Sequence, residues 1–160
     1  MKLLPHDTFT LETLDLPPVV RDRLAARVEP YKAVRWGFSH NHAPYQGRIS
    51  DEGFEIQRII HYRNSFLPRI RGKFEPLASG TAVRISMGLH PLVTGFLAFW
   101  YLTWYSAIVP LALTGAMPGE TALLFVGMPI LTGITFWGAF WYEAGRSRRD
   151  LTQYIQGKAV

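Results

Sequence analysis

The chain of 160 residues contains no cysteine, and this absence excludes several kinds of site. A disulfide framework, a zinc site built on thiolates and a thiol nucleophile all require cysteine. The sequence also has no His-Glu-x-x-His helix, no phosphate-binding glycine-rich loop and no Gly-x-Ser-x-Gly turn. Residues 1–7 become polar too early to hold the apolar core of a cleavable signal. We therefore expect no catalytic site and no cofactor.

Charged residues are absent from two long segments. Residues 92–113 and 121–142 contain no Asp, Glu, Lys or Arg, and the short turn 114–120 separates them. As helices, each would extend about 33 Å, against about 30 Å for the hydrocarbon core of a bilayer. A buried hairpin in a soluble protein is the alternative, but roughly ninety preceding residues are too few to cover two helices that are apolar on all sides. The pattern predicts a transmembrane hairpin over 90–143.

The basic residues predict the orientation of this hairpin. All 17 Lys and Arg lie outside it, 13 before His90 and 4 after Tyr142, and the turn contains Glu120 as its single charged residue. Because basic residues that flank membrane segments are retained in the cytoplasm, we expect both termini on the cytoplasmic side of the membrane. The same bias accounts for the net charge of +5, so this charge does not indicate a nucleic-acid partner.

Residues 1–89 have the pattern of a small cytoplasmic α+β domain. Alternation predicts a strand over 8–14, and Asp15 with two prolines predicts a helix that extends to about Glu29. Segments of period two follow at 34–38, 45–50, 54–63, 66–75 and 81–89. We predict one helix with an antiparallel sheet of four to six strands, which leads directly into the hairpin.

The tail 144–160 begins with basic residues and continues with Leu151, Tyr154 and Ile155 at helical spacing. This pattern predicts a short amphipathic helix. Because an exposed apolar patch near a membrane is unfavourable, we expect the tail to dock on the sheet or to lie among the lipid headgroups.

Arg58 is a candidate site residue because strict alternation places it on an apolar strand face with Phe54, Ile56 and Tyr62. A charge on a core face needs a partner. One interpretation is structural: Arg58 forms an ion pair or reaches the rim of the sheet beyond a bulge. The other is that Arg58 and Tyr62 line a pocket for an anionic ligand. The carboxylates considered for the ion pair are Glu55, Glu75 and Glu143.

A second set of candidate residues is cationic. Alternation sends three basic residues of the 66–75 strand away from the core, and one residue of the next strand lies on the same side. Each basic side chain near an anionic membrane contributes on the order of 1 kcal/mol to binding. We therefore expect contact with anionic lipid headgroups; a solvated face that keeps the domain soluble is the alternative. The residues are Arg69, Arg71, Lys73 and Arg84, with Arg146, Arg148 and Arg149 in the tail.

The spacing of His40 and His42 can place two imidazoles on one metal ion. The immediate loop supplies no carboxylate, and the sequence has no second spaced pair of ligands. A polar loop between strands is the favoured interpretation, so no metal site is assigned.

The segments 58–72 and 80–91, which include Tyr-Arg-Asn-Ser-Phe-Leu-Pro at 62–68 and precede an apolar hairpin, resemble a group of small bacterial membrane proteins. That group has no established activity, so the resemblance implies only a location in a bacterial inner membrane and a layout. The layout is also similar to that of bacterial pleckstrin-homology-like membrane proteins, although layout does not establish function.

These observations favour a non-enzymatic, membrane-anchored binding or scaffolding domain. The expected partners are the lipid bilayer, its anionic headgroups, and a partner protein or a second copy of the chain. The alternative is a membrane enzyme, or a small-ligand or lipid sensor, that uses the face around Arg58 and Tyr62.

Overall fold

The computed structural model describes residues 5–30, 43–60 and 66–159. Within these ranges, six strands and one short helix come first, two long helices follow, and a short strand comes last. The elements are β1 (His6–Thr13), α1 (Pro17–Ala25), β2 (Val28–Glu29), β3 (Tyr45–Ile49), β4 (Gly53–Arg58), β5 (Arg69–Leu77), β6 (Gly80–Gly88), α2 (Pro91–Leu113), α3 (Gly119–Ile155) and β7 (Lys158–Ala159).

The strands of the described residues form one sheet, in the order β2-β3-β4-β5-β6-β1-β7. The sheet has seven strands and its β2–β3 pair is parallel, so the prediction of four to six antiparallel strands is wrong in number and in one pairing. The two short strands β2 and β7 account for the difference in number. The helix predicted to extend to about Glu29 ends at Ala25; the residue before Pro30 favours extended backbone, and Val28–Glu29 joins the sheet beside β3. The strand predicted over 34–38 lies outside the described residues.

One face of the sheet forms the core. In β5 and β6, side chains with period two are buried on this inner face, as alternation predicted, and they include Ile70, Phe74, Val83 and Ile85. Val20 and Leu24 of α1 belong to the same cluster of buried apolar residues. The opposite, outer face of these strands is polar. This division leaves the outer face available to solvent or to a partner.

α3 is one continuous helix of 37 residues, about 55 Å long at about 1.5 Å per residue. The tail predicted as a separate short helix is instead its last part, because no proline follows Pro129 and the inward positions keep helical spacing. Leu151 and Ile155 are fully buried in the sheet core, together with Phe140. The tail therefore docks on the sheet. Gln156 ends the helix in the left-handed conformation.

α2 and α3 are each long and apolar enough to cross a membrane. α2, which is described throughout, has no buried residue, and large apolar side chains such as Phe96, Phe99 and Leu131 are exposed along both helices. Aliphatic and aromatic side chains exposed on all sides are unfavourable in water and suit a hydrocarbon environment.

Aromatic side chains of α2 hold the two helices together. Pro129 has no N–H, so the carbonyl of Phe125 lacks its usual helical donor. The indole Nε1 of Trp104 donates to this carbonyl at 2.9 Å. The hydroxyl of Tyr101 donates to the carbonyl of Pro129 at 2.8 Å, close to Gly133. The helix interruption is thus compensated from the partner helix.

Candidate functional site

A buried ion pair lies where α3 crosses the inner face of the sheet. Alternation along β4 places Arg58 on the same face as Phe54 and Ile56, and its Nη1 lies 3.4 Å from Oε2 of Glu143. The side chain of Glu143 is only 2% exposed and that of Arg58 is 14% exposed. Asp150, two helical turns after Glu143, lies 4.0 Å from the other guanidinium nitrogen.

Tyr45 extends this cluster from the neighbouring strand. It is directly opposite Arg58 in the β3–β4 register, it is fully buried, and its hydroxyl donates to Oδ2 of Asp150 at 3.0 Å. Burial is the main cause that raises the pKa of the Tyr45 phenol well above its usual range. The phenol therefore stays protonated and acts as a donor.

The cluster connects the sheet to the long helix. Two carboxylates already neutralise the guanidinium of Arg58, and Glu143 is one of the three partners considered from the sequence. Removal of one member of a buried pair leaves an uncompensated charge and costs about 3–5 kcal/mol. The arrangement is suited to fixing the position of α3 on the sheet. Tyr62 lies outside the described residues, so the anion pocket formed by Arg58 and Tyr62 stays a prediction.

His40 and His42 also lie outside the described residues. Within the ranges 5–30, 43–60 and 66–159, no group of three or more His, Cys, Asp or Glu is placed to hold a metal ion. The described residues therefore do not test the hypothesis of a metal site at His40 and His42.

The outer face of the sheet carries a cluster of basic side chains across adjacent strands. Arg48 of β3, Arg71 and Lys73 of β5, and Arg84 of β6 are all exposed, and we refer to these four residues as the cationic face. Arg48 and Arg71 are both in register with Glu55 of β4, one on each side. A shallow depression of about 810 Å³ lies between the β3–β4 turn and β5 at this corner.

Carboxylates balance only part of this charge. Glu55 pairs with Arg69 and also lies 3.6 Å from Arg71, while Glu75 lies 3.4 Å from Arg84. Lys73 is directly opposite Arg84 in the β5–β6 register, and like charges in this position are destabilising. Within the described part of the chain, neither Lys73 nor Arg48 has an ion-pair partner.

The tail arginines divide into two kinds. Arg148 is directed toward the protein, since its guanidinium lies 4.6 Å from the centre of the Phe9 ring and 3.8 Å from a carboxylate oxygen of Asp7. Arg146 and Arg149 are exposed. The lipid contact predicted for all three stays a prediction, and two of them have the exposure that it requires.

The sequence analysis did not identify Tyr45, Asp150 or Arg48 as site residues. A signal for Asp150 was present, because it follows Glu143 by seven residues and therefore lies on the same helical face. Arg48 shares its strand face with Gln46, so alternation along 45–50 could have placed it with the other outward residues. Tyr45 gave no such signal, since its neighbours depend on the position of α3.

No family model, curated protein or solved structure matches this chain. The two resemblances inferred from the sequence therefore stay predictions, and the proposals below depend on the geometry of the chain itself.

Proposed function

We propose that this chain is an integral membrane protein whose sheet domain is a non-enzymatic binding module held at the cytoplasmic surface of a membrane. In this proposal α2 and the first part of α3 cross the bilayer, and the turn between them lies on the other side. The sheet domain and both termini share the cytoplasmic side, where the Lys and Arg are located.

The continuity of α3 is the observation that carries this proposal. The helix begins in the apolar hairpin and ends in the sheet core, where Phe140, Leu151 and Ile155 are fully buried. Glu143, the first charged residue after the apolar part, pairs with Arg58 of the sheet. A domain attached in this way is held at a fixed position near the bilayer. Its outer face points away from the helix and is available to a partner.

A membrane enzyme or small-ligand sensor centred on Arg58 and Tyr62 receives less support. Glu143 and Asp150 already supply negative charge to the guanidinium of Arg58, so an anionic ligand would have to displace them. The binding module therefore remains the better proposal.

The test has two stages. Membranes from cells that express the full chain are washed with alkaline carbonate, and the protein is then purified in mild detergent after chemical cross-linking in the cell. We expect the chain to stay in the membrane and to retain one protein partner in a fixed ratio. Release by carbonate would contradict membrane integration. Retention of a small molecule that the protein converts to a product would favour the enzyme.

A matched pair of variants makes the second stage specific. Arg71→Glu with Lys73→Glu reverses two charges on the cationic face, and Arg146→Glu with Arg149→Glu makes the same change in charge on the exposed tail. We expect the first variant to lose the cross-linked partner and the second to keep it. Loss in both variants would contradict a partner site on the sheet.

A further inference from the structure

The orientation of the sheet follows from the way α3 packs on it. The helix contacts β4 through Glu143 and β1 through Arg148, and β7 then pairs with β1 at Leu11. α3 therefore lies flat against the inner face, as helices do in layered folds. Transmembrane helices tilt by about 20° on average from the bilayer normal. The sheet thus stands up from the proposed membrane surface and its outer face points sideways.

The position of each cation along its strand sets its distance from lipid. β6 ends at Gly88, shortly before α2 begins at Pro91. Arg69 is in register with Gly88, whereas Lys73 and Arg84 lie four residues further along their strands, about 13 Å at about 3.3 Å per residue. Electrostatic attraction to a charged membrane falls off over about 8 Å at physiological ionic strength. The bilayer is therefore a poor partner for Lys73 and Arg84, whereas Arg71 and Arg48 lie two residues closer to the level of Gly88.

The spacing of the cations fits another kind of anion. Arg71 and Lys73 are two residues apart on one strand, about 6.6 Å, and Arg84 stands beside Lys73 on the next strand. Alternate residues of an extended peptide have the same separation. Carboxylates at alternate positions of such a peptide could each meet one of these cations. A peptide carboxylate between Lys73 and Arg84 would relieve the repulsion between these two cations.

We infer that the cationic face binds an extended acidic segment of a partner protein, with Asp or Glu at alternate positions. This inference rests on the proposed binding function and specifies its partner. The carboxylates bind over Arg71, Lys73 and Arg84, and Arg48 extends the surface toward the β3–β4 turn. Charge-assisted hydrogen bonds from the guanidinium groups supply much of the affinity.

The experiment uses the full chain in nanodiscs of phosphatidylcholine. The probe is a fluorescein-labelled peptide of alternating Glu and Thr, about eight residues long so that it matches β5, and binding is followed by fluorescence anisotropy. We expect saturable binding that weakens as salt rises. Arg71→Gln with Lys73→Gln should weaken it at least about tenfold. Arg146→Gln with Arg149→Gln should change it less than about twofold.

Two further arms separate the alternatives. A peptide of alternating Lys and Thr should not bind, which keeps the test independent of any effect of substitution on folding. Native mass spectrometry of the chain in nanodiscs that contain phosphatidylglycerol counts bound anionic lipid. If Arg71→Gln with Lys73→Gln lowers bound lipid and leaves peptide binding unchanged, the face contacts lipid and the inference is overturned.

Absence of binding by the acidic peptide would also overturn the inference. That result differs from a failure of the proposed function. If both the natural chain and the variants at positions 71 and 73 still cross-link to a partner in the cell, the protein remains a binding module. Its binding site would then lie elsewhere on the domain.

Discussion

The buried pair of Arg58 and Glu143 allows a quantitative test of how α3 is fixed to the sheet. Two unit charges 3.4 Å apart attract each other by about 5 kcal/mol at an effective dielectric constant of about 20. Desolvation offsets part of this attraction. We therefore expect Glu143→Gln alone to lower the free energy of unfolding by about 3 kcal/mol, because among the described residues Arg58 then keeps only the more distant Asp150.

A double-mutant cycle isolates the pair. Arg58→Met, Glu143→Leu and their combination are unfolded reversibly in detergent micelles, and near-ultraviolet circular dichroism reports the sheet core. The loss of unfolding free energy in the double variant should be about 2 kcal/mol smaller than the sum of the losses in the two single variants. Arg84 and Glu75 are a matched control, since their charged atoms are also 3.4 Å apart but both side chains are well exposed. Their coupling should stay below about 1 kcal/mol.

A coupling below about 0.5 kcal/mol for the buried pair would refute the argument. It would mean that Asp150 replaces Glu143 without loss, or that α3 is fixed by its apolar side chains alone. Equal couplings in the buried and exposed pairs would likewise contradict the role assigned to burial.

Three further predictions concern the hairpin and the buried phenol. Trp104→Phe should lower hairpin stability by about 1 kcal/mol because it removes the donor to the carbonyl freed by proline, whereas Trp100→Phe should have little effect; thermal unfolding in micelles compares them. Gly133→Ala should weaken the hairpin because its methyl group would lie 2.6 Å from the Tyr101 hydroxyl, and addition of Tyr101→Phe should recover only part of the thermal stability, because it removes the clash together with the hydrogen bond to Pro129. In the unfolded chain tyrosine loses its proton near pH 10, whereas burial raises the pKa of Tyr45 in the folded protein. Above pH 10 this group should therefore lower the free energy of unfolding by about 1.4 kcal/mol per pH unit. In Tyr45→Phe the free energy of unfolding should fall less steeply with pH.

The hairpin and the main strands could be predicted because their signals are local. A run without charge predicts an apolar helix from its length alone, and α2 covers the whole segment expected, with one residue more at its start. Period two in 81–89 predicted β6 within one residue at each end. Alternation also placed Arg58 on the inner face and Lys73 on the outer face, because side-chain direction in a strand depends only on sequence position.

Contacts between distant segments could not be predicted in the same way. The parallel pairing of β2 with β3 depends on residues that lie far apart in sequence, and so does the return of β7 to β1. The continuity of α3 was missed because polar residues follow the apolar run. In the structure those residues cover the exposed side of a helix whose other side, with Leu151 and Ile155, is buried in the sheet core.

The partner of Arg58 shows the same limit. The sequence offered three carboxylates, and each was reasonable by spacing or proximity. The position of α3 on the sheet selects Glu143 and adds Asp150, and this position is a property of the complete fold. Charge and alternation can therefore identify a residue that needs a partner without identifying the partner.

Accessibility of single cysteines to a membrane-impermeant maleimide tests the central claim most directly. The natural chain has no cysteine, so Ala116→Cys in the turn, Lys73→Cys on the cationic face and Arg149→Cys after the apolar part of α3 each report one position without background. In intact bacterial cells we expect labelling at position 116 only. Positions 73 and 149 should react after the membrane is permeabilised. Labelling of 73 and 149 with protection of 116, or equal labelling of all three, would contradict a hairpin that crosses the membrane with the sheet domain on the cytoplasmic side.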